Sequence, residues 1–255
     1  MMTSSNPIRA PGGTKDSMIT GPVAASIFDA AFNGDLPTVQ ALFNESNGGK
    51  GSSILNKRDE DDRTPLHWAC SGSRPEVAEW LLKHGADANA ADDSGWTPLI
   101  IAASVGSVPL VNLLVAHGAD VNRQNETGQT ALHYCASKNR IEVAAALLDA
   151  NATPNVADQQ GQLPIHRAAS LGHLKLVQLL HAVGKSRVNT GDKRGNTPLH
   201  LACEDCQGPV AVYLIETGRA DVDRLNKDGK AALDVCGDKS FRAWVVRHVE
   251  SVDLE

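Results

Sequence analysis

The sequence predicts an all-α solenoid of about seven helix-turn-helix repeats with hairpin-like turns. Three observations carry this. The first is a recurring helix start: TPLHWAC at Thr64, TPLIIAA at Thr97, TALHYCA at Thr130, LPIHRAA at Leu163, TPLHLAC at Thr197 and a degenerate AALDVCG at Ala231. These starts are spaced 33, 33, 33, 34 and 34 residues apart, and self-similarity at a fixed period of roughly 20 to 50 residues marks a repeat architecture. The second is the turn before each start. Two residues earlier stand Asp62, Gly95, Gly128, Gly161, Gly195 and Gly229; five earlier stand Asp59, Asp92, Asn125, Asp158, Asp192 and Asn226; eight earlier stand Asn56, Asn89, Asn122, Asn155, Asn189 and Asp223. The third is helical apolar spacing after each start: Val77, Trp80, Leu81; Val111, Leu114, Val115; Val177, Leu180.

Each position has a physical reason. The Asx with a Gly three residues on suits a tight turn in which Gly takes a positive φ. Thr is a good helix cap, and Pro suits the first helical position, where no N–H is needed. Leu66, Leu99, Leu132, Ile165, Leu199 and Leu233 point inward. Small pairs such as Ala69-Cys70 and Ala168-Ala169 let a second helix approach. HGAD at His84 and His117 ends that second helix with a left-handed Gly.

A degenerate unit, IFDAAFNGDLPTVQALF, fits Ile27 to Phe43. After it, NESNGGKGSSILNK lengthens the spacing and predicts a loop. SFRAWVVRHV sets Phe241, Trp244, Val245 and Val249 on one helical face and predicts a capping helix that closes the stack. Residues 1–20, rich in Ser, Thr, Gly and Pro, read as a disordered tail before a repeat domain over 21–255.

Composition excludes several function classes. Hydrophobic residues make up 42% of the 255 but aromatics only 4%, so the core rests on Leu, Val, Ile and Ala. The net charge is −6 and no stretch is dense in Lys and Arg, which argues against nucleic acid. No apolar run is long enough to span a membrane and the N-terminus shows no apolar export segment, so a cytoplasmic and nuclear protein is expected. Five cysteines without an export signal predict reduced thiols.

A turn and two helices every 33 residues resembles the ankyrin repeat, over roughly residues 22 to 250. Two features invite chemistry. His67, His133, His166 and His200 share one position, but Ile100 and Asp234 fill it elsewhere, so the row reads as imidazoles bonded to turn backbone or to the Thr hydroxyl. Cys203 and Cys206 form a CxxC, yet Cys203 occupies the small-residue position of Cys70 and Ala103. No phosphate loop, nucleophile elbow or paired-carboxylate motif is present. The expectation is no enzyme, no cofactor and no metal.

Positions that vary between repeats are those the fold leaves free. They lie at the turns and at the ends of the first helices, where stacking is expected to form one concave recognition strip. Asp and Glu dominate its first half, and Lys138, Lys193 and Arg194 mix with Glu204 and Asp205 in the second. Trp68, Trp96 and Tyr134 read as interface anchors beside it. RTPLHWACS, DDSGWTPLIIAASVG, TALHYCASKNRIEVA, HRAASLGHLKLV and GNTPLHLACED resemble the gankyrin family, assembly chaperones of the proteasome regulatory particle.

That resemblance implies a monomer whose concave face holds the C-terminal helical domain of one ATPase-ring subunit. It implies acidic contacts at Asp61, Asp93 and Asp205 and basic ones at Arg63 and Lys138; Arg167 and Glu204 complete the expected partner-binding set. The chain departs from the family pattern in a longer tail, a longer first connection, an altered DANATPN turn and a last repeat without Thr-Pro. The residues alone leave a second reading open, a general ankyrin adaptor or inhibitor of a signalling or transcription protein.

Overall fold

The computed structural model describes residues 26–46 and 52–250. The expected tail over 1–20 lies outside them. The chain divides into two compact units between Asp120 and Val121. The first holds α1 (Ile27–Asn33), α2 (Leu36–Ser46), α3 (Ser52–Leu55), α4 (Pro65–Ser71), α5 (Pro75–Lys83), α6 (Pro98–Val105) and α7 (Val108–Ala116). The second holds α8 (Ala131–Lys138), α9 (Ile141–Asp149), α10 (Pro164–Ser170), α11 (Leu174–Ala182), α12 (Pro198–Glu204), α13 (Gly208–Glu216), a 3-10 turn (Ala232–Asp234) and α14 (Lys239–Glu250). No strand occurs among the described residues, and the fold is the all-helical repeat solenoid that the period predicts.

Within each unit the helices stack in two rows. In the first unit α1, α4 and α6 pack in sequence, with α5 against α2 and α7; in the second, α8, α10 and α12 pack in sequence, with α11 against α9 and α13. The small pairs permit this: Ala69, Cys70, Ala102 and Ala103 in the first unit, and Cys135, Ala136, Ala168, Ala169, Ala202 and Cys203 in the second, are all buried. The inward Leu66, Leu99, Leu132, Ile165 and Leu199 are buried with them. Burial of each of these Leu and Ile side chains stabilises the stack by about 1.5–3 kcal/mol.

The glycine expectation holds. Gly95, Gly128, Gly161, Gly195 and Gly229 all have φ between 71° and 80°, and Asp62 takes the same left-handed conformation at φ 59°. Gly128 is bound to that identity twice over, since a Cβ there would lie 2.9 Å from the Gln159 amide nitrogen. In the altered DANATPN turn Asn151, at φ 63°, replaces the left-handed Gly of HGAD.

The Asn eight residues before each helix start joins one repeat to the next. Asn89 Nδ2 donates to the Gly118 carbonyl (2.9 Å) and its Oδ1 accepts the Asp120 N–H (2.7 Å). Asn155 does the same with Lys185 and Arg187, and Asn189 with Arg219 and Asp221.

Two expectations change. The connection NESNGGKGSSILNK is not all loop: its end forms α3, one helical turn whose Leu55 is fully buried and which packs on α2. An apolar side chain within reach of the stack docks there and helix closes around it. The last repeat, without hydroxyl or Pro at Ala231, makes only a 3-10 turn. α14 then packs on α13 and buries Val245 completely, while Trp244 stays 37% exposed. Gly208 makes room for that indole, since a Cβ would meet it at 2.8 Å. The side chain of Val249 lies outside the described residues.

Candidate protein-binding surface

Each hairpin turn is built on its Asx. Asp92 Oδ1 accepts the N–H groups of Ser94 (3.1 Å) and Trp96 (2.7 Å). Asp59, Asn125, Asp158, Asp192 and Asn226 each accept the equivalent pair, two and four residues on. Satisfying two N–H groups in this way holds the turn rigid.

The second atom of each Asx also needs a partner, and this reassigns several expected contact residues. Where the residue nine positions on is polar, it supplies the partner: Trp68 Nε1 donates to Asp59 Oδ2 (2.7 Å), Asn125 Nδ2 donates to Tyr134 Oη (2.9 Å), and an Arg167 guanidinium nitrogen donates to Asp158 Oδ2 (3.2 Å). Where that residue is Ile101, Leu201 or Val235, the partner comes from the preceding repeat. Arg63 Nε donates to Asp92 Oδ2 (3.1 Å), Gln162 Nε2 to Asp192 Oδ2 (3.3 Å), and Asn226 Nδ2 donates to Asn196 Oδ1 (2.7 Å).

Trp68 is therefore no exposed anchor: it is 3% exposed, with its ring edge-on to Phe32 and the Arg63 guanidinium 5.4 Å above it. Arg63, Arg167 and Tyr134 are half-buried and hold the turns. For Trp68, Tyr134 and Arg167 the sequence signal for this role was a polar side chain nine residues after an Asx.

The histidine row is structural and joins repeats. His67 Nδ1 accepts the Thr64 N–H (3.0 Å), which leaves Nε2 as the protonated nitrogen, donating to the Trp96 carbonyl of the next repeat (3.0 Å). His133 and His200 repeat this with Thr130 and Gln162, and with Thr197 and Lys230. His166 does so with Leu163, which has no hydroxyl, and Thr190. Burial pushes His67 and His133 down to about 4 and lowers His166, so these rings are neutral near pH 7.

Burial pushes the Cys70 and Cys203 thiols up and takes Cys135 to about 12, far from the reactive thiolate range. Among the described residues no group of three or more His, Cys, Asp or Glu is placed to hold a metal ion.

What remains exposed is the surface available to a partner. In the first unit Asp61 and Asp93 are exposed on adjacent tips, joined by a hydrogen bond from the Asp93 N–H to the Asp61 carbonyl (3.1 Å). Trp96 is half-buried beside them in the chain. In the second unit Lys138, Glu204 and Asp205 are exposed at the ends of α8 and α12. Ser170 Oγ donates to Asp205, and Leu171, in the position equivalent to Lys138 and Asp205, is 46% exposed. Two exposed tip residues absent from the expected strip are Lys227 and Lys230; that strip ends with the repeat that starts at Thr197, although Asn226 and Gly229 set the last turn in the same register. No described helix is long and apolar enough to cross a membrane.

Comparison with known proteins agrees with this architecture. The family described as Ankyrin repeats (3 copies) matches residues 27–125, 90–158, 110–189 and 165–247. The chain is 38% identical over 79 residues to the probable 26S proteasome regulatory subunit p28 of Saccharomyces cerevisiae, 31% of this chain and 35% of that protein. It is 46% identical over 37 residues to the human 26S proteasome non-ATPase regulatory subunit 10, 14% of this chain and 16% of that protein. The matched segments thus span about a third of the yeast relative's length and less of the human one's.

Among solved structures, the ankyrin repeat domain of Bcl-3, titled a unique member of the IkappaB protein family, superposes with a TM-score of 0.76 at 28% identity. That match covers 88% of this chain and 98% of that one. A fold of this kind is typical of non-catalytic protein-interaction domains. The matches, the 33-residue period and the helix pairs agree: the chain belongs to the ankyrin-repeat family.

Proposed function

We propose that this ankyrin-repeat protein is a non-catalytic chaperone of proteasome regulatory-particle assembly. It binds the C-terminal domain of one ATPase-ring subunit and keeps an immature base from docking on the core particle. The observation that carries this reading is the 38% identity over 79 residues to a protein named as a proteasome regulatory subunit, with the human non-ATPase regulatory subunit 10 beside it. The surface supports it. Asp61 and Asp93 are exposed on neighbouring tips, and Lys138 and Asp205 at first-helix ends.

Mechanistically, the turns act as rigid mounts. Because Asp59, Asp92 and Asp158 are already bonded on both oxygens, the neighbouring exposed charges meet a partner with little turn reorganisation. Complementary charge then sets orientation and association rate. Arg63, Trp68, Tyr134 and Arg167 contribute by holding the turns, and Trp96, Glu204 and Asp205 by contact.

A second reading, an adaptor or inhibitor of a signalling or transcription protein, is favoured by the likeness to the Bcl-3 ankyrin domain across 88% of the chain. Calorimetry of the purified chain against each ATPase C-terminal domain separates the two. One domain should bind, and Asp93→Lys should weaken it by roughly 2–5 kcal/mol if the contact is buried. If none of the domains binds, the chaperone reading fails and the adaptor reading stands.

A further inference from the structure

We propose that the last hairpin tips of the second unit form a docking face for an acidic protein segment, held by Lys193, Arg194, Lys227 and Lys230. The proposal rests on the reading that the tips belong to a protein-binding surface, and it names the chemistry of one end of it.

The residue directly after each turn Asx gives the fold its backbone and leaves its side chain exposed. In the second unit this position is filled, in order, by Glu126, Gln159, Lys193 and Lys227, all exposed. Their spatial order is fixed by a backbone ladder. The Gln159 N–H donates to the Thr127 carbonyl (3.0 Å), Lys193 to Gln160 (2.9 Å) and Lys227 to Arg194 (2.9 Å). Charge therefore reverses along one rigid row, from an anion through a neutral amide to two cations.

Arg194 and Lys230, also exposed, enlarge the cationic end. The turn residues between them offset it only in part. Asp192 is buried, with Oδ1 on the Arg194 and Asn196 N–H groups and Oδ2 on Gln162, and its counterpart in the last turn is the uncharged Asn226. Among the described residues none of the four cations is ion-paired. Asp228 is the exposed acid on these two tips. A positive patch on a chain of net charge −6 is a local feature that net charge does not produce, and such a patch attracts an anionic partner.

The row also selects the class of partner. A nucleic acid carries a phosphate at every step along its length and would meet Glu126 and Asp228 as well as the lysines. A protein segment ends its acidic run where the row turns negative, so the sign change fixes its direction as well as its place.

The test uses a labelled Glu-rich, Ser-spaced peptide long enough to cross two tips, with binding to the full chain read by fluorescence anisotropy at two salt concentrations. The intact chain should bind it, more weakly at higher salt. The double variant Lys193→Glu, Lys227→Glu should weaken binding by about tenfold or more, with an unchanged melting curve. Lys175→Glu, an equal change of charge per site at an exposed position on α11, should leave it as it was.

No binding of the peptide, an unaltered affinity in the double variant, or an equal loss in Lys175→Glu would overturn the proposal. So would tighter binding of a single-stranded oligonucleotide through the same four residues. ATPase-domain binding is measured separately. If it is absent while the peptide binds at the tips, the chaperone reading fails alone; if it is present and the peptide arm fails, the docking face fails alone.

Discussion

The repeat that starts at Thr64 and the one that starts at Ala231 solve the same problem with different means. At Thr64 a hydroxyl, a Pro and His67 open a full helix, and the imidazole continues to the Trp96 carbonyl of the following repeat. At Ala231 there is no hydroxyl, and among the described residues only α14 follows. Asp234 Oδ2 accepts the Ala231 N–H (3.2 Å), and the chain makes a 3-10 turn before α14 takes over. The difference shows that Thr-Pro-Leu-His is more than a helix start. It joins repeats, whereas among the described residues Asp234, in the histidine position, bonds only within its own unit.

The largest effect should come from acid. His67 and His133 have folded values near 4, depressed by burial, against about 6.5 in the unfolded chain. A depressed value means that the unfolded chain takes up the proton first. Their contribution is complete above about pH 6.5 and is lost as pH falls toward 4. The loss is up to about 3 kcal/mol for each ring. Urea midpoints across that range should fall, and fall less in a His67→Gln variant; a flat profile would break the comparison.

Next in size is removal of the bridging ring itself. His67→Ala should cost about 2–3 kcal/mol, because it leaves the buried Thr64 N–H without a partner and takes one of two donors from the Trp96 carbonyl, which keeps the Asp92 N–H. Asp234→Ala should cost less, about 1 kcal/mol, since the two bonds lost, from the Ala231 N–H and from the Arg242 guanidinium, are both exposed. Equal shifts in chemical denaturation would show that the histidine does no more than cap its own helix.

Smaller again is Trp68→Phe, which keeps an aromatic ring and removes the donor to Asp59 Oδ2. About 1 kcal/mol of stability should be lost, and hydrogen exchange should quicken at the Asp61 and Arg63 amides held by Asp59. If those amides keep their protection, the second oxygen of the Asx does not stabilise the turn.

The smallest effects belong to the exposed tips. Asp61→Ala and Asp93→Ala should move the melting free energy by no more than about 0.5 kcal/mol, however much they weaken a partner. A large destabilisation at Asp93 would transfer it from the contact surface to the framework that already includes Trp68.

The sequence by itself determined whatever is local. The Asx and Gly spacing set the turns down to the sign of φ at Gly95 and Gly229; Thr and Pro placed the helix starts; the Ala and Cys pairs marked where helices touch. The short reach of the histidine to its own turn was legible too. The tertiary structure decided what depends on a residue one repeat away. The ring of His67 reaches a carbonyl 29 positions on, and Asp92 takes its second partner from Arg63, 29 positions back.

The second case explains why Trp68, Tyr134 and Arg167 looked free. Their position varies among Trp, Ile, Tyr, Arg and Leu, and variation reads as lack of structural duty when one repeat is considered at a time. In the stack, an apolar residue there is matched by a hydrogen-bonding side chain from the preceding repeat, Arg63, Gln162 or Asn196. The requirement is met by the pair of positions together, because a buried polar atom needs a partner and either position can supply it.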